Sequence, residues 1–179
     1  MSSLTASPTR FPRSIFFDFQ RAKSSPNYQN RLAIHYEDSP GDTLNDSDKK
    51  GFSKLVGQLY QELPFPVEYV AGQPYKTAAE MTEDVRQTGV LKISTDFNDP
   101  VVLSSQENLY FRATHDSHHI LGGWDFSWEG ELAACQYFCT LTNNPLYQRI
   151  LFSELILQAA SCLHLGGFTE QKLVLTLPY

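Results

Sequence analysis

Residues 104–131 read SSQENLYFRATHDSHHILGGWDFSWEGE, and this stretch carries the clearest structural pattern in the chain. Apolar side chains recur along it at the spacing of a helix face, which predicts one helix over residues 104–121 and a second over residues 127–142. The Gly122-Gly123 pair between them is typical of a helix end. The stretch therefore predicts two helices joined by a short turn.

The rest of the chain contains further helix and strand patterns. Helical periodicity predicts three further helices, over residues 47–63, 77–88 and 145–165. Short apolar runs predict strands over residues 67–70, 90–95 and 173–177. We therefore predict an α+β fold, predominantly helical, in which the long helices of the C-terminal half pack together beside a few short strands.

The composition fits one globular domain. The chain has 179 residues, of which 41% are hydrophobic and 19% charged, and this is enough for a single core. We predict a disordered tail over residues 1–14 and one globular domain over residues 15–179. The formal net charge is −6 and the longest basic run is Lys49-Lys50, so the charge balance argues against nucleic acid as a partner.

Targeting signals and cysteine positions help to predict the cellular compartment of the protein. No apolar stretch approaches the roughly 20 residues of a membrane-spanning helix, and residues 1–14 lack the hydrophobic region of a secretory signal. Cys135 and Cys139, at i and i+4, are predicted to pack on one helix face rather than to form a disulfide. We predict a cytoplasmic protein in a reducing compartment, with a transit peptide left open as the alternative.

Three of the five histidines fall within residues 115–119. On the predicted helix, His115 and His119 lie one turn apart on a stripe that also carries Arg112. Consecutive turns can bring two imidazole nitrogens to a common point about 2.0–2.1 Å from a metal ion. The spacing indicates part of a metal site, and an ordinary solvated helix face is the alternative.

Glu131 is the third candidate ligand. It shares a face of the predicted second helix with Phe138, so its carboxylate should point into the core, where an unpaired charge costs several kcal/mol. His115 and His119 are its natural partners, and two histidines with one carboxylate suit Zn²⁺, Fe²⁺ or Mn²⁺. A salt bridge between Arg112 and Glu131 is the competing interpretation.

Other polar residues have predicted roles near this site. Arg112 has the planar donors to bind a substrate carboxylate or phosphate. Asp116 cannot easily reach the same ion as its neighbour, so we expect it to hold an imidazole or a substrate group. Glu154 lies on a polar stripe of the last long helix, which favours a solvated face; the alternative is a further wall of the same site and an additional metal ligand. His118 and His164 are predicted to lie at the surface.

The segment Thr114-His115-Asp116-x-x-His119, with eleven residues between His119 and Glu131, resembles the metal-binding motif of the fourth Coq protein of ubiquinone biosynthesis. The resemblance covers about residues 110–135. It implies a mainly helical protein with a metal at His115, Asp116, His119 and Glu131. It also implies a role in processing or scaffolding prenylated aromatic quinone precursors, including removal of the ring carboxylate.

Three functions fit these residues. The first is a metal-dependent enzyme, of lyase or hydrolase type, which acts on a small organic molecule such as an aromatic quinone precursor. The second is a non-catalytic binding or scaffold protein for a hydrophobic ligand such as a prenyl lipid, with a metal that anchors it. The third is structural: a metal that ties two helices together, or polar pairs without a metal.

Overall fold

The computed structural model describes Phe11 and residues 13–179, and it confirms a predominantly helical α+β fold. The helices are α1 (Ile15–Ser24), α2 (Pro26–Asp38), α3 (Asp46–Gln61), α4 (Ala78–Thr88), α5 (Ser105–Gly122), α6 (Trp128–Thr140), α7 (Pro145–Phe152) and α8 (Gln158–Leu165). The strands are β1 (Val67–Val70) and β2 (Leu91–Ser94). The predicted tail of residues 1–14 lies mostly outside the described residues. Within the described part of the chain, no helix combines the length and the apolar character that crossing a bilayer requires.

Helices α5 and α6 confirm the prediction from residues 104–131. A capping box begins α5: the Ser104 side chain accepts from the Glu107 backbone N–H, and the Glu107 side chain accepts from the Ser104 backbone N–H. Gly123 ends the helix in the left-handed conformation, with φ +65°. Ser127 then caps α6 by accepting a hydrogen bond from the Gly130 N–H. These caps fix the short turn that places the two helices side by side.

The two strands form a small parallel sheet. Val67 pairs with Leu91 and Val70 pairs with Ser94, and α4 provides the crossover that a parallel pair requires. Both strands were predicted from their short apolar runs. Strand β2 packs against α5, so the chain that leaves β2 passes beside the α5 face that carries the histidines.

Helices α1 and α2 were not predicted. Polar residues interrupt their apolar pattern, and their helical state depends on tertiary packing, since α2 lies along α8 and α1 lies against α6. His35 lies in α2, and its Nε2 is 3.0 Å from the carbonyl oxygen of Thr176.

The predicted strand over residues 173–177 is wrong. This segment is extended but pairs with no strand of the described chain. Its backbone is bonded instead by polar groups of other elements: Leu175 N–H donates to Asp42 Oδ2 at 2.8 Å, and Val174 N–H donates to Ser153 Oγ at 2.8 Å. Its apolar side chains are buried, which explains the strand-like pattern.

The last long helix follows the prediction with one irregularity. Helix α7 continues into a five-residue π-helical turn (Ser153–Leu157) and then into α8, without a break in the helical run. The widened turn carries Glu154. π-helical turns are rare and frequently mark functional sites, because they redirect side chains away from the regular helical positions.

The interior has a main core and a smaller one. The main core joins α1, α2, α3, α6, α7, the π turn and the segment of residues 173–177. The smaller core lies between the sheet, α4 and α5, and includes Met81, Leu91, Ile93 and Ala113. Helix α5 contributes Phe111 to the main core and Leu109 to the smaller one, so its histidines are held between the two.

Candidate metal centre

His115, His119 and Glu131 converge on one point. Glu131 Oε2 lies 3.0 Å from His115 Nε2 and 3.4 Å from His119 Nε2. The two Nε2 atoms are 3.2 Å apart. One nitrogen or oxygen atom of each residue lies within 4.8 Å of the other two, and this group has the chemistry to hold a metal ion.

The local fold explains this convergence. His115 and His119 are one turn apart on α5 and are both buried, and Glu131 lies in the first turn of α6. A Cβ atom at Gly130 would lie 2.0 Å from the carbonyl oxygen of Asp125, so only glycine allows α6 to begin this close to the preceding turn. The close approach helps to bring Glu131 beside the histidines.

A backbone carbonyl orients His119. The Nδ1 atom of His119 lies 3.2 Å from the carbonyl oxygen of Trp124. Because a carbonyl oxygen only accepts, Nδ1 is the nitrogen that carries hydrogen in this contact. Nε2 faces Glu131 and His115: when it carries hydrogen it donates to the Glu131 carboxylate, and when it does not its lone pair is free for a metal ion, the arrangement in which metal-binding histidines are held.

The electrostatics of the three residues are linked. Burial acts to raise the pKa of Glu131, but hydrogen bonds with His115 and His119 outweigh it and hold the pKa at about 2. Burial acts to lower the pKa of His119, but the Glu131 carboxylate outweighs it and raises the pKa. The carboxylate is therefore ionised at neutral pH and is available to a cation.

A cavity of about 430 Å³ opens beside this group. His115 and Glu131 line it, whereas His119 is not among its lining residues. Its walls come from the loop before α4, the end of β2, helices α5, α6 and α8, the π turn and the segment after α8. The aromatic members of the lining are Tyr75, Phe97, Phe111, Phe126 and Phe168. The candidate metal centre thus has one side that a small molecule can approach.

Arg112 lines the cavity but is held by the backbone. Its Nη1 donates to the carbonyl oxygens of Ser94 at 3.0 Å and Asp96 at 2.7 Å, and its Nη2 donates to that of Phe97 at 2.7 Å. The proposed salt bridge to Glu131 is absent among the ion pairs of the described chain. Arg112 therefore fixes the backbone that leaves β2.

Asp116 also lines the cavity and lies outside the group of three. Burial raises its pKa to about 6, although the neighbouring imidazoles of His115 and His119 act in the opposite direction. Its predicted role, to hold an imidazole or a substrate group, stays a prediction.

Glu154 belongs to the cavity wall. It was expected mainly on a solvated face, but its Oε1 is excluded from solvent and has no hydrogen-bond partner among the described residues. It lies outside the three-residue group. The sequence pattern is misleading here because its polar stripe faces the cavity and α2: Gln158 lines the cavity, and buried Ser161 donates to Glu37.

Two other histidines differ in their surroundings. His118 was expected at the surface, but it is buried, with its ring edge-on to Tyr137 and Phe138 at 4.9 and 4.7 Å between centroids. Burial lowers its pKa to about 3, so it is neutral. His164 is exposed, as predicted. Cys135 and Cys139 are free and buried, in agreement with their predicted packing role.

The sequence analysis missed several residues of the cavity. Tyr75 lies in the loop before α4, where its hydroxyl donates to Asp84 and accepts from the Lys92 N–H. Phe168 follows α8 and stacks on Phe97 at 5.0 Å between centroids. Loop residues have no periodic pattern that would identify them. Cys162, one turn after Gln158, could have been found by extending the helical stripe.

Comparisons with protein-family models, curated proteins and solved structures found no match to this chain.

Proposed function

We propose that this protein binds one divalent metal ion at His115, His119 and Glu131 and acts through it on a small organic molecule in the adjoining cavity. The observation that carries the proposal is the convergence of the three residues, with Glu131 Oε2 3.0 Å from His115 Nε2 and 3.4 Å from His119 Nε2. Three protein ligands leave coordination positions open, as in catalytic rather than structural zinc sites.

A metal ion there would supply Lewis-acid polarisation of an oxygen atom of the bound molecule. Residues of this chain would orient the metal ligands and shape the cavity. Trp124 orients the His119 ring, and aromatic side chains give the cavity part of its apolar lining. Arg112 holds the backbone of residues 94–97 at the cavity, which fixes the wall opposite the helices. Asp116 is placed to contact the bound molecule.

Metal analysis tests the proposal directly. The full chain is purified without a tag, reconstituted separately with Zn²⁺, Fe²⁺ and Mn²⁺, dialysed, and analysed for metal content. We expect about one ion per chain for at least one metal, and a loss in His115→Ala, His119→Ala and Glu131→Ala. His164→Ala and Glu129→Ala remove an exposed histidine and an exposed carboxylate, and both should retain the metal. A wild-type chain that retains none of the three metals contradicts the proposal.

A second experiment tests whether the metal ion has open coordination positions. Cobalt-substituted protein is titrated with azide or acetohydroxamate, and the visible absorption spectrum is followed. A spectral change is expected if small ligands reach the ion from the cavity. An unchanged spectrum, together with a large loss of melting temperature on chelation, would assign the metal a structural role instead.

The resemblance to the fourth Coq protein leads us to propose an aromatic quinone precursor as the bound molecule. The support is the His115-Asp116-x-x-His119 spacing, the distance to Glu131, and the aromatic walls of the cavity. Mass spectrometry of an organic extract of the purified chain should then detect a quinone or prenylated aromatic compound. Extracts that contain neither, from protein that retains metal, would contradict this assignment.

Non-catalytic carriage of a hydrophobic ligand is the second candidate. The observation that favours it is the Phe97–Phe168 stack, because both rings line the cavity and remain 66% and 81% exposed. Exposed aromatic side chains at a cavity rim suit a ligand that extends beyond it. A prenyl lipid in the extract, combined with a cobalt spectrum that azide does not alter, would favour carriage.

A further inference from the structure

The carboxyl group of Glu154 lacks a partner inside the cavity. Its Oε1 is buried and has no hydrogen bond to any described residue. Buried polar atoms nearly always have a partner, and an exception in a folded protein needs an explanation. Here the explanation lies in the position of the group, because Glu154 lines the same cavity as His115 and Glu131. A molecule that fills the cavity is therefore the candidate partner of the Glu154 carboxyl group.

The helix is irregular at this residue. Glu154 lies in the π-helical turn between α7 and α8, flanked by buried residues that belong to the main core. The turn is anchored from outside, since the Val174 N–H donates to Ser153 Oγ. π turns are rare inside α-helices and are frequently found at functional sites. The backbone and the unpartnered oxygen thus point independently to a ligand contact.

The charges around the cavity favour an uncharged carboxyl at this position. Arg112 is the only arginine or lysine among the described residues that line the cavity, and its guanidinium already donates to three carbonyl oxygens. Apart from His115 and Glu154 itself, the lining also contains the acidic residues Asp96, Asp116 and Glu131. Burial, rather than any neighbouring charge, raises the pKa of Glu154 to about 7. A protonated carboxyl donates a hydrogen bond through its O–H.

We propose that Glu154 is a ligand-binding residue that donates a hydrogen bond to an uncharged acceptor oxygen, such as a ketone, ester or ether oxygen, of the molecule in the cavity. The acidic lining disfavours a carboxylate near Glu154. This inference rests on the proposed function for the identity of the bound molecule as a substrate, but the contact itself does not require the metal. The proposed ligand therefore has an acceptor oxygen for Glu154 and a second atom that reaches the candidate metal centre.

A cationic ligand is the competing occupant. An ionised Glu154 would pair with an ammonium group, whereas a protonated Glu154 would bind an acceptor. Glu154→Gln distinguishes the two, because the amide still donates a hydrogen bond but cannot form an ion pair. Glu154→Leu removes both interactions while keeping a side chain of similar size.

Three probes with the same ring and different charges provide the test: cyclohexanone, cyclohexylammonium and cyclohexanecarboxylate. Each is titrated into the full chain, as purified and again after chelator dialysis, and the methyl resonance of Ile93 in the cavity wall reports binding. We expect cyclohexanone to bind most tightly, to bind Glu154→Gln with similar affinity, and to bind Glu154→Leu at least about tenfold more weakly. Glu62→Leu, at an exposed site at the end of α3, should bind as the wild type does.

The outcomes separate this inference from the metal proposal. Loss of cyclohexanone binding in Glu154→Leu but not in Glu154→Gln, with or without chelation, supports the inference even if no metal is retained. Equal binding to wild type and Glu154→Leu overturns it, as does absence of cyclohexanone binding to the wild type. Tighter binding of cyclohexylammonium that disappears in Glu154→Gln overturns it in favour of a cationic ligand.

Thermal unfolding gives a second readout that needs no probe. A buried carboxyl that serves a ligand destabilises the ligand-free fold. Glu154→Leu should therefore raise the melting temperature by about 2–4 °C. Glu62→Leu should leave it unchanged. A lower melting temperature for Glu154→Leu would show that the carboxyl stabilises the free fold, and it would overturn the inference.

Discussion

Two hydrogen bonds join His119 and Trp124, one through the His119 side chain and one through the His119 backbone. His119 Nδ1 lies 3.2 Å from the Trp124 carbonyl oxygen, and the Trp124 N–H donates to the His119 carbonyl oxygen at 3.0 Å. The turn that ends α5 thus also orients a candidate metal ligand. Gly123 makes this turn possible, because its φ of +65° is unfavourable for other residues.

Gly123→Ala should weaken the metal site without touching a ligand. The substitution strains the turn and shifts the Trp124 carbonyl, so we expect a loss of about 1 kcal/mol in unfolding free energy and a roughly tenfold loss in metal affinity. Gly89→Ala is the matched control, since Gly89 ends α4 with φ +72°. The control should lose similar stability but keep the metal affinity, measured by competition with a chromophoric chelator. Equal affinities in both variants would contradict the role of the turn.

Gly130→Ala should disturb the start of α6. Its Cβ would lie 2.0 Å from the Asp125 carbonyl oxygen, so the turn and Glu131 must move. We expect a loss of about 2–4 kcal/mol in unfolding free energy, measured by urea denaturation, and loss of metal retention. In contrast, Gly57→Ala lies inside α3 with open space around it and should stabilise the protein by up to about 1 kcal/mol. A Gly130→Ala variant as stable as wild type would refute the close approach.

Arg112→Lys should be nearly as damaging as Arg112→Met. Arg112 donates to the carbonyl oxygens of Ser94, Asp96 and Phe97, and the single ammonium of lysine cannot reproduce this fork. We expect losses of about 2–4 kcal/mol in unfolding free energy for both variants. If the role of Arg112 were only its charge, lysine would restore the wild-type value, and chemical denaturation would reveal it.

Glu37→Gln should reduce the sensitivity of the fold to acid. Hydrogen bonds from Ser161 and Thr169, assisted by the charges of Lys172 and His164, hold the pKa of Glu37 below its ordinary value of 4.5. A carboxyl with a lowered folded-state pKa stabilises the protein above its unfolded-state pKa, and this contribution is lost as pH falls through the folded-state value.

Because solvent screens this partly exposed carboxyl, the variant should lose less than about 1 kcal/mol at pH 7, and it should show a smaller further loss below about pH 4.5 than wild type. Glu62→Gln, at an exposed position, is the control and should follow the wild-type curve. Melting temperatures across this pH range provide the measurement, and parallel curves for wild type and Glu37→Gln would contradict the prediction.

The sequence was sufficient for elements whose stability is encoded locally. Helices α5 and α6 have caps and apolar stripes within their own residues, and the spacing of His115 and His119 follows from helix geometry alone. The approach of Glu131 could be inferred because a carboxylate on an apolar face needs a partner. These features need no knowledge of distant parts of the chain.

Features that depend on distant contacts could not be predicted. Arg112 donates to carbonyl oxygens of residues 94–97, and no local pattern relates an arginine to backbone acceptors elsewhere. Glu154 was predicted on a solvated face because a helical wheel does not distinguish a face in water from a face that lines a polar cavity. The wheel also assumes regular α-helical geometry and so does not include the π turn. Residues 173–177 have the short apolar run of a buried strand, but backbone N–H groups of Val174 and Leu175 donate to a serine hydroxyl and a loop carboxylate.

The segment of residues 173–177 has a consequence for synthesis on the ribosome. It completes the core around α1 and α2, and one of its contacts joins Thr176 to His35, 141 residues earlier in the chain. The ribosome synthesises about 5–20 residues per second. After α1 and α2 have been made, on the order of ten seconds therefore pass before residues 173–177 exist to cover their apolar face. During that interval the exposed apolar surface makes the unfinished chain prone to aggregation.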